Sequence, residues 1–542
     1  RDAWRHAMFN QFHDILPGSG VRETFHYAQG RVQEILARTN AVRTRCLRGI
    51  AQAVDTASLA ARGEAGPAQG LGAGVGEGAW WGEVSSLGAG AGDVHPFVVF
   101  NPSPWSRTDV VTVKVWDHEL PDDRIVVRGS EGEATRGQVL QKGHYWGHHF
   151  ITVAFPARDL PALGYRAYVV ARSAGAAQAA EARASGDDVI ENEFLRVRVE
   201  PASGAVVSLV DKQAGYDFVP DGARLGLLQL LTEAPHGMTA WEIGQVVRQL
   251  DFTDGGTLNV VHRGPNVAAL RCVHTHNDST FEMTVGLRAG VPRVDFTLNV
   301  NWLERGSPQL GVPMLKVAFP LAVEHGRATF EVPFGYVTRP TDGDEVPALT
   351  WADLSGAALG DAGPDQVGAT LLNHSKYGHD VTADTIRLTL LRSSYDPDPL
   401  PELGQHEIKF ALMPHVGQWS PSVATRAGSA FNPPLTAVGA DLHDGRLPPT
   451  AQFVAVEPQN VVLSGLKKAE DSDAIVLRLY ELEGVETKAR VRLDKDIVAP
   501  DSPCVEADLL EQPLPESTAK MQGDTLAVTI PPYGIATVMV GC

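Results

Sequence analysis

The chain has 542 residues, enough for three or four domains at roughly 150 residues each. Its 46 basic residues against 65 acidic ones give a net charge of −19, which excludes the basic footprint of a nucleic-acid binder. The composition is globular, and 54 glycines with 36 prolines punctuate it too often for an all-helical protein.

No apolar run approaches the about 18 residues that cross a bilayer, so no membrane partner is expected. The sequence starts at Arg1 with neither an initiator methionine nor a signal-peptide pattern, and is expected to be a piece of a longer polypeptide.

In chain order, Trp4, Met8, Phe9 and Phe12 fall at i, i+4, i+5 and i+8 and predict an apolar stripe on a first helix, with Phe9 and Phe12 facing inward. Pro17 and Gly18 break it. Val21, Phe25, Ala28, Val32, Ile35, Val42, Cys46, Ile50 and Val54 then recur at steps of three, four and seven. They predict one long amphipathic helix over about 20–59, roughly 60 Å at 1.5 Å per residue. Two helices cannot bury two such stripes, so residues 1–62 are expected to be a partial helical bundle. Residues 63–94 read as a Gly/Ala-rich linker or loop, with Trp80 and Trp81 able to tack it down.

From 97 onward the signal is β. Short runs at 97–100, 110–115, 150–155 and 165–170 predict a small β-sandwich over 95–175. After an Ala/Ser/Gly-rich linker, alternation begins at 194–199 and recurs in more runs than a seven-stranded sandwich can hold. A large β super-sandwich is expected over 189–449 and a C-terminal β domain over 450–542. The fold class is therefore mainly β with an N-terminal helical segment: a partial helical bundle followed by β-sandwich domains.

Cys46, Cys272, Cys504 and Cys542 lie far apart with no C-x-x-C spacing. They read as unpaired thiols in a reducing cytoplasm.

The segment QFHDILPGS at 11–19 puts His13 beside Asp14 at a helix end. An imidazole can ligate a metal and a carboxylate can accept hydrogen bonds from a polyol, but such a pair is equally a helix-end hydrogen-bonding pair. Adjacent His148 and His149 point to opposite faces of a strand and share no metal. Arg339, Tyr377, His379 and Asp380 are either cleft residues or loop anchors. His276 and Asp278, spaced like a metal pair, lie amid alternating β sequence and read as a turn.

The segment at 11–19 resembles a signature of glycoside hydrolase family 38, the retaining α-mannosidases, in their bacterial type. PFG at 333–335 with RPT at 339–341, LNHSKYGHDV at 372–381, LLR at 390–392 with DPD at 396–398, and LKKAED at 466–471 are similar to family segments in the same order. The resemblance implies that His13 is a ligand of an active-site zinc ion and that Asp14 contacts the terminal sugar. It also implies that an aromatic residue of the large β domain lines the sugar site, with Trp241 near the matching position; read from the residues alone, Trp241 is equally a core tryptophan of the sandwich. Nothing here is similar to the family's N-terminal α/β segments, which carry the nucleophile and the acid/base. No catalytic residue is expected in this chain, and no hydrolysis by it alone. The implied partner is an α-mannoside oligosaccharide or glycan, and a homo-oligomer stays open. The other reading is a non-catalytic carbohydrate-binding β protein, which has no need of a His-Asp pair at 13–14.

Overall fold

A computed structural model describes residues 1–61, 94–117, 120–145, 148–173, 181–360 and 363–541; the side chain of Tyr145 is also left out. Most of the expected linker at 63–94, including Trp80 and Trp81, lies outside the described residues, as do Trp146 and Cys542.

Two helices open the chain, α1 (Asp2–Phe9) and α2 (Arg22–Ala51). They pack on each other through the edge-to-face contact of Phe9 and Tyr27, centroids 5.9 Å apart, with the Arg31 guanidinium 4.6 Å from both rings. Their apolar stripes are otherwise largely exposed, except at the end of α2, where Leu47, Ile50 and Ala51 pack on the small sandwich. Only Ala28 and Ala51 of α2 are buried, and Trp4, Met8, Phe9 and Phe12 are exposed, so the inward orientation expected of Phe9 and Phe12 does not occur. The second helix also stops earlier than its periodicity suggests. After Ala51 the chain turns so that Val54 enters the small sandwich. There Asp55 donates its backbone N–H to Leu447 and Leu447 returns one to Ala53, both at 2.8 Å.

The small sandwich pairs two sheets. One holds Arg107–Trp116, His148–Leu160 and Gln138–Tyr145. The other is built around Val94–Asn101 and Gly164–Arg172. Val94–Asn101 is buried on both faces, which explains its unbroken apolar run. Phe97 and Val99 face the opposing sheet, while Val98 and Phe100 face the end of α2. Two later strands, Thr436–Gly439 and Thr450–Gln452, return to this sheet by pairing with Val94–Asn101 and Gly164–Arg172. The boundary expected at 449 is corrected accordingly, and the large sandwich's own strands end at Val416.

The large sandwich has twenty strands in three sheets of five, six and nine. They enclose one core in which Phe296 stacks on Phe410 at 5.3 Å and Phe281, Phe319 and Trp302 close around them. Strand Ser279–Arg288 alternates between core and solvent residue by residue. A third helix, α3 (Pro421–Phe431), starts with the Ser420 hydroxyl accepting from the Ser422 N–H and Pro421 in its first turn. Through Ala424 it covers Trp351, Leu372 and Ala411 on the outward face of the nine-stranded sheet. The C-terminal domain, from Val454 to Val540, is two four-stranded sheets over a core that includes Leu477, Leu479, Val491 and Val538.

A buried ion network joins the small and large sandwiches. Asp109 meets Arg107 at 3.0 Å, Arg288 at 3.4 Å and Arg293 at 3.6 Å, and Asp295 pairs with both Arg293 and Arg288.

Candidate functional site

The turn between α1 and α2 carries the His-Asp pair. Pro17 removes a backbone donor and Gly18 takes φ +80°, so the turn that follows α1 does not return to helix before α2 begins. Asn10 donates to the Ala28 carbonyl at 3.1 Å and ties the turn back onto α2. The Asp14 carboxylate accepts the Ser19 hydroxyl at 3.2 Å and lies 3.7 Å from His13 Nε2. His13 leans on the Phe12 ring and leaves 79% of its side chain exposed. An imidazole this open is free to meet a ligand that arrives from outside the turn.

Arg22, in the first turn of α2, reaches the Leu400 carbonyl at 3.5 Å. This contact sets the helical turn beside the loop after strand Thr385–Arg392. That loop is in turn laced to the one at 234–245, between Leu227–Glu233 and Val246–Asp251. The Thr239 hydroxyl oxygen accepts the N–H groups of Tyr395 and Asp396, both at 3.0 Å. Met238 donates its N–H to the Asp396 carboxylate and Ala240 to the Asp396 carbonyl, each at 3.1 Å.

Beneath both loops is a two-pronged ion pair. Arg392 Nε meets one oxygen of Glu233 at 2.6 Å and Nη2 the other at 2.8 Å. The same guanidinium donates to the carbonyls of Thr239 and Glu242. Burial alone would push the Glu233 carboxyl up. The Arg392 pair, the Gly244 N–H and His236 outweigh it and hold the group below the usual carboxylate range.

This scaffold presents Trp241 at an exposed loop tip with Met238 and Ile243. The indole is 49% exposed and is not part of the sandwich core. An aromatic ring so placed offers one face to the C–H surface of a sugar.

The other sequence candidates divide. His379 and Asp380 are buried anchors: His379 donates Nδ1–H to the Tyr377 carbonyl, and Asp380 accepts Lys316 and Arg387, each at 2.6 Å. Arg339 lies over the Phe330 ring and donates to the Pro347 carbonyl at 2.9 Å. Tyr377 alone of this set keeps an exposed ring. His276 ends a strand that pairs with Ser279, leaving Asn277 and Asp278 as the hairpin turn. His148 bonds to Asp117 while His149 sits against His144, so the two adjacent imidazoles diverge.

Among the described residues no three His, Cys, Asp or Glu side chains come together as a metal site. His13 and Asp14 supply at most two donors, short of the three or four protein ligands that zinc takes. These residues alone do not compose a zinc centre. Cys46, Cys272 and Cys504 form no disulfide, and no described helix is long and apolar enough to cross a membrane, which says nothing about strands.

Of the residues that shape the loops, Asp396 falls in the DPD segment at 396–398, while Glu233, Thr239 and Tyr395 escape sequence reasoning. Their one signal is Arg392 at the end of an apolar strand, where a buried cation demands a carboxylate.

Residues 190–400 match the family model described as the glycosyl hydrolases family 38 C-terminal domain, and residues 460–538 match the C-terminal beta sandwich domain of that family. The chain is 27% identical over 552 residues to human Alpha-mannosidase 2C1, covering 99% of this chain and 45% of that protein. It is 28% identical over 381 residues to Alpha-mannosidase G of Dictyostelium discoideum, covering 65% of this chain and 32% of that protein. The chain thus spans about half the length of the curated relatives it matches, or less. A solved alpha-mannosidase from Enterococcus faecalis shares the fold with a TM-score of 0.75 at 17% identity, over 99% of this chain and 63% of that one.

Proposed function

Because the chain belongs, through its two C-terminal β domains, to glycosyl hydrolase family 38, we propose that it is the helical and β portion of a zinc-dependent, retaining α-mannosidase. Its substrates are terminal α-mannosyl residues of oligosaccharides or glycans, met in the cytoplasm. The observation that carries this reading is the exposed Trp241, on a loop that Glu233 and Arg392 hold and that is laced to Tyr395 and Asp396, in the same loop whose Leu400 carbonyl Arg22 reaches from the start of α2.

Trp241 stacks on the sugar ring and fixes the plane in which it lies. Asp14, steadied by Ser19, accepts hydrogen bonds from sugar hydroxyls. His13 contributes one ligand to a zinc site that residues outside these 542 complete. A retaining glycosidase needs two carboxyl groups about 5 Å apart. Neither the nucleophile nor the acid/base is assigned to this chain, so the 542 residues alone do not hydrolyse mannosides.

The test is hydrolysis of an aryl α-mannoside with added zinc, measured for the 542 residues alone and for a polypeptide that carries them within a longer chain. Turnover is expected only in the second case, and it should fall when Trp241 or His13 is replaced by Ala. Robust turnover by the 542 residues, or activity of the longer chain indifferent to both replacements, defeats the proposal.

A further inference from the structure

The outward face of the nine-stranded sheet carries a polar grid that the site above does not use. Strands Ser279–Arg288, Val294–Trp302 and Gly404–Val416 run side by side. Their register sets Thr280, Asn301 and Gln405 in one row and Glu282, Asn299 and Glu407 in the next. The intervening Phe281, Val300, Leu298 and Ile408 point the other way, into the core. Over the grid lies a cleft of about 370 Å³, within the roughly 300–1,000 Å³ range of small-molecule sites.

The choice of side chains here runs against local preference. Asparagine is depleted in strands, yet two stand at alternate positions of an interior strand. The side chains of Asn299, Asn301 and Gln405 are exposed, and among the described residues neither they nor the Thr280 hydroxyl is engaged by another protein group, so all are open to an incoming ligand. The two carboxylates are partnered sideways, Glu282 with Arg271 at 3.4 Å and Glu407 with Lys409 at 2.7 Å. The grid is therefore close to neutral in a chain of net charge −19. A primary amide both donates and accepts, which matches adjacent hydroxyls on a ring and no simple ion. Gln405 stands one residue into the strand that follows the loop taking up Arg22.

We propose that this cleft is a second carbohydrate-binding site, which takes one pyranose unit of an oligosaccharide through the amides of Asn299, Asn301 and Gln405. The proposal rests on the α-mannosidase reading only for the choice of mannose as the first sugar. With no aromatic ring in the grid, binding is weak and hydrogen-bonded.

The test is saturation-transfer NMR of the 542-residue chain with methyl α-mannoside, methyl α-glucoside and mannobiose. It compares the parent and Trp241→Ala with Asn299→Ala/Asn301→Ala and with Asn301→Asp, each amide change made in the Trp241→Ala background so that the loop tip contributes no signal. The parent and Trp241→Ala are expected to bind saturably. The double variant should bind at least roughly tenfold more weakly at an unchanged melting temperature, as the loss of hydrogen bonds worth about 1 kcal/mol each implies. Asn301→Asp, which keeps the shape and removes two donors, should weaken binding in the same direction. No saturable binding of any sugar overturns the proposal, as does a double variant that binds like its Trp241→Ala background. Loss of the signal in Trp241→Ala alone overturns it too, by assigning the sugar to the loop tip. Amide-dependent binding of the glucoside and not the mannosides upholds the cleft and counts against the mannosidase reading alone.

Discussion

Arg392 grips Glu233 with two parallel hydrogen bonds, at 2.6 and 2.8 Å, while the carboxylate is wholly buried. The two residues stand 159 positions apart and lock two loops into one unit. Removing one member of a buried pair leaves the other charge without compensation, at about 3–5 kcal/mol. Glu233→Ala is therefore expected to lower the unfolding free energy by an amount of that order in urea denaturation. Arg392→Lys should not restore it, because a lysine cannot reproduce the fork. The depressed carboxyl fixes the sign with pH. The pair's contribution is present above the ordinary carboxylate range and is lost as pH falls through the lowered value.

Trp241 behaves oppositely. Its indole is half exposed, so Trp241→Ala should leave the melting temperature of the chain nearly unchanged. In the longer polypeptide the same change should reduce kcat/KM for an aryl α-mannoside by about tenfold or more, the loss of one aromatic contact of roughly 1.5 kcal/mol. A large drop in melting temperature with unaltered kcat/KM would make Trp241 a packing residue.

The β architecture is legible in the sequence because strands such as Ser279–Arg288 alternate strictly between core and solvent. The early end of α2 is not, since Val54 keeps the helical spacing while its backbone is already paired with Leu447 across the fold. Nor is the return of Thr436–Gly439 to the small sandwich, because a strand's partner leaves no trace in its own composition. In the candidate site, His13, Asp14 and Trp241 are reached through residue type and resemblance. Glu233 is not, because an acidic residue at a strand end looks like any solvated one until its cation is located in space.

The His13 imidazole is 79% exposed, and among the described residues Asp14 is the one further donor beside it. The 542-residue chain is therefore expected to lose zinc on dialysis, with less than stoichiometric metal by atomic absorption, since one or two ligands do not retain it. The longer polypeptide should keep one zinc ion, and His13→Ala should lower its affinity for the metal without changing the fold. Retention of stoichiometric zinc by the 542 residues would place a complete site within them.

Asp109 holds three guanidinium groups, of Arg107, Arg288 and Arg293, at the contact of the small and large sandwiches. Burial works against its charge, but the three arginines prevail and keep its carboxyl below the usual range. Asp109→Asn should destabilise this contact by about 3 kcal/mol or more. The two sandwiches are then expected to unfold in separate calorimetric steps, where the parent shows one. A single transition displaced by less than a degree would show that the apolar contacts alone join them.

His379 gives the last prediction, and its sign is opposite to that of a partnered surface histidine. The ring is buried, edge-on to Phe330, and donates Nδ1–H to the Tyr377 carbonyl at 3.0 Å. Burial pushes it down to about 4, and the nearby Lys316 and Arg339 act in the same direction. The Tyr377 carbonyl and Asp380 pull the other way without reversing the shift. The unfolded chain takes up a proton at its usual value of about 6.5, so between about 6.5 and about 4 it binds more protons than the folded one. Stability attributable to this residue is whole above about 6.5 and declines toward about 4, at up to roughly 1.4 kcal/mol per pH unit. His379→Gln keeps an amide donor for the Tyr377 carbonyl and removes the titration. Unfolding free energies of parent and variant, measured in urea at steps from pH 7 to pH 5, should therefore converge as pH falls. Parallel lines over that range would mean that the imidazole titrates alike in the folded and unfolded chains, and diverging lines that it is already protonated inside the fold.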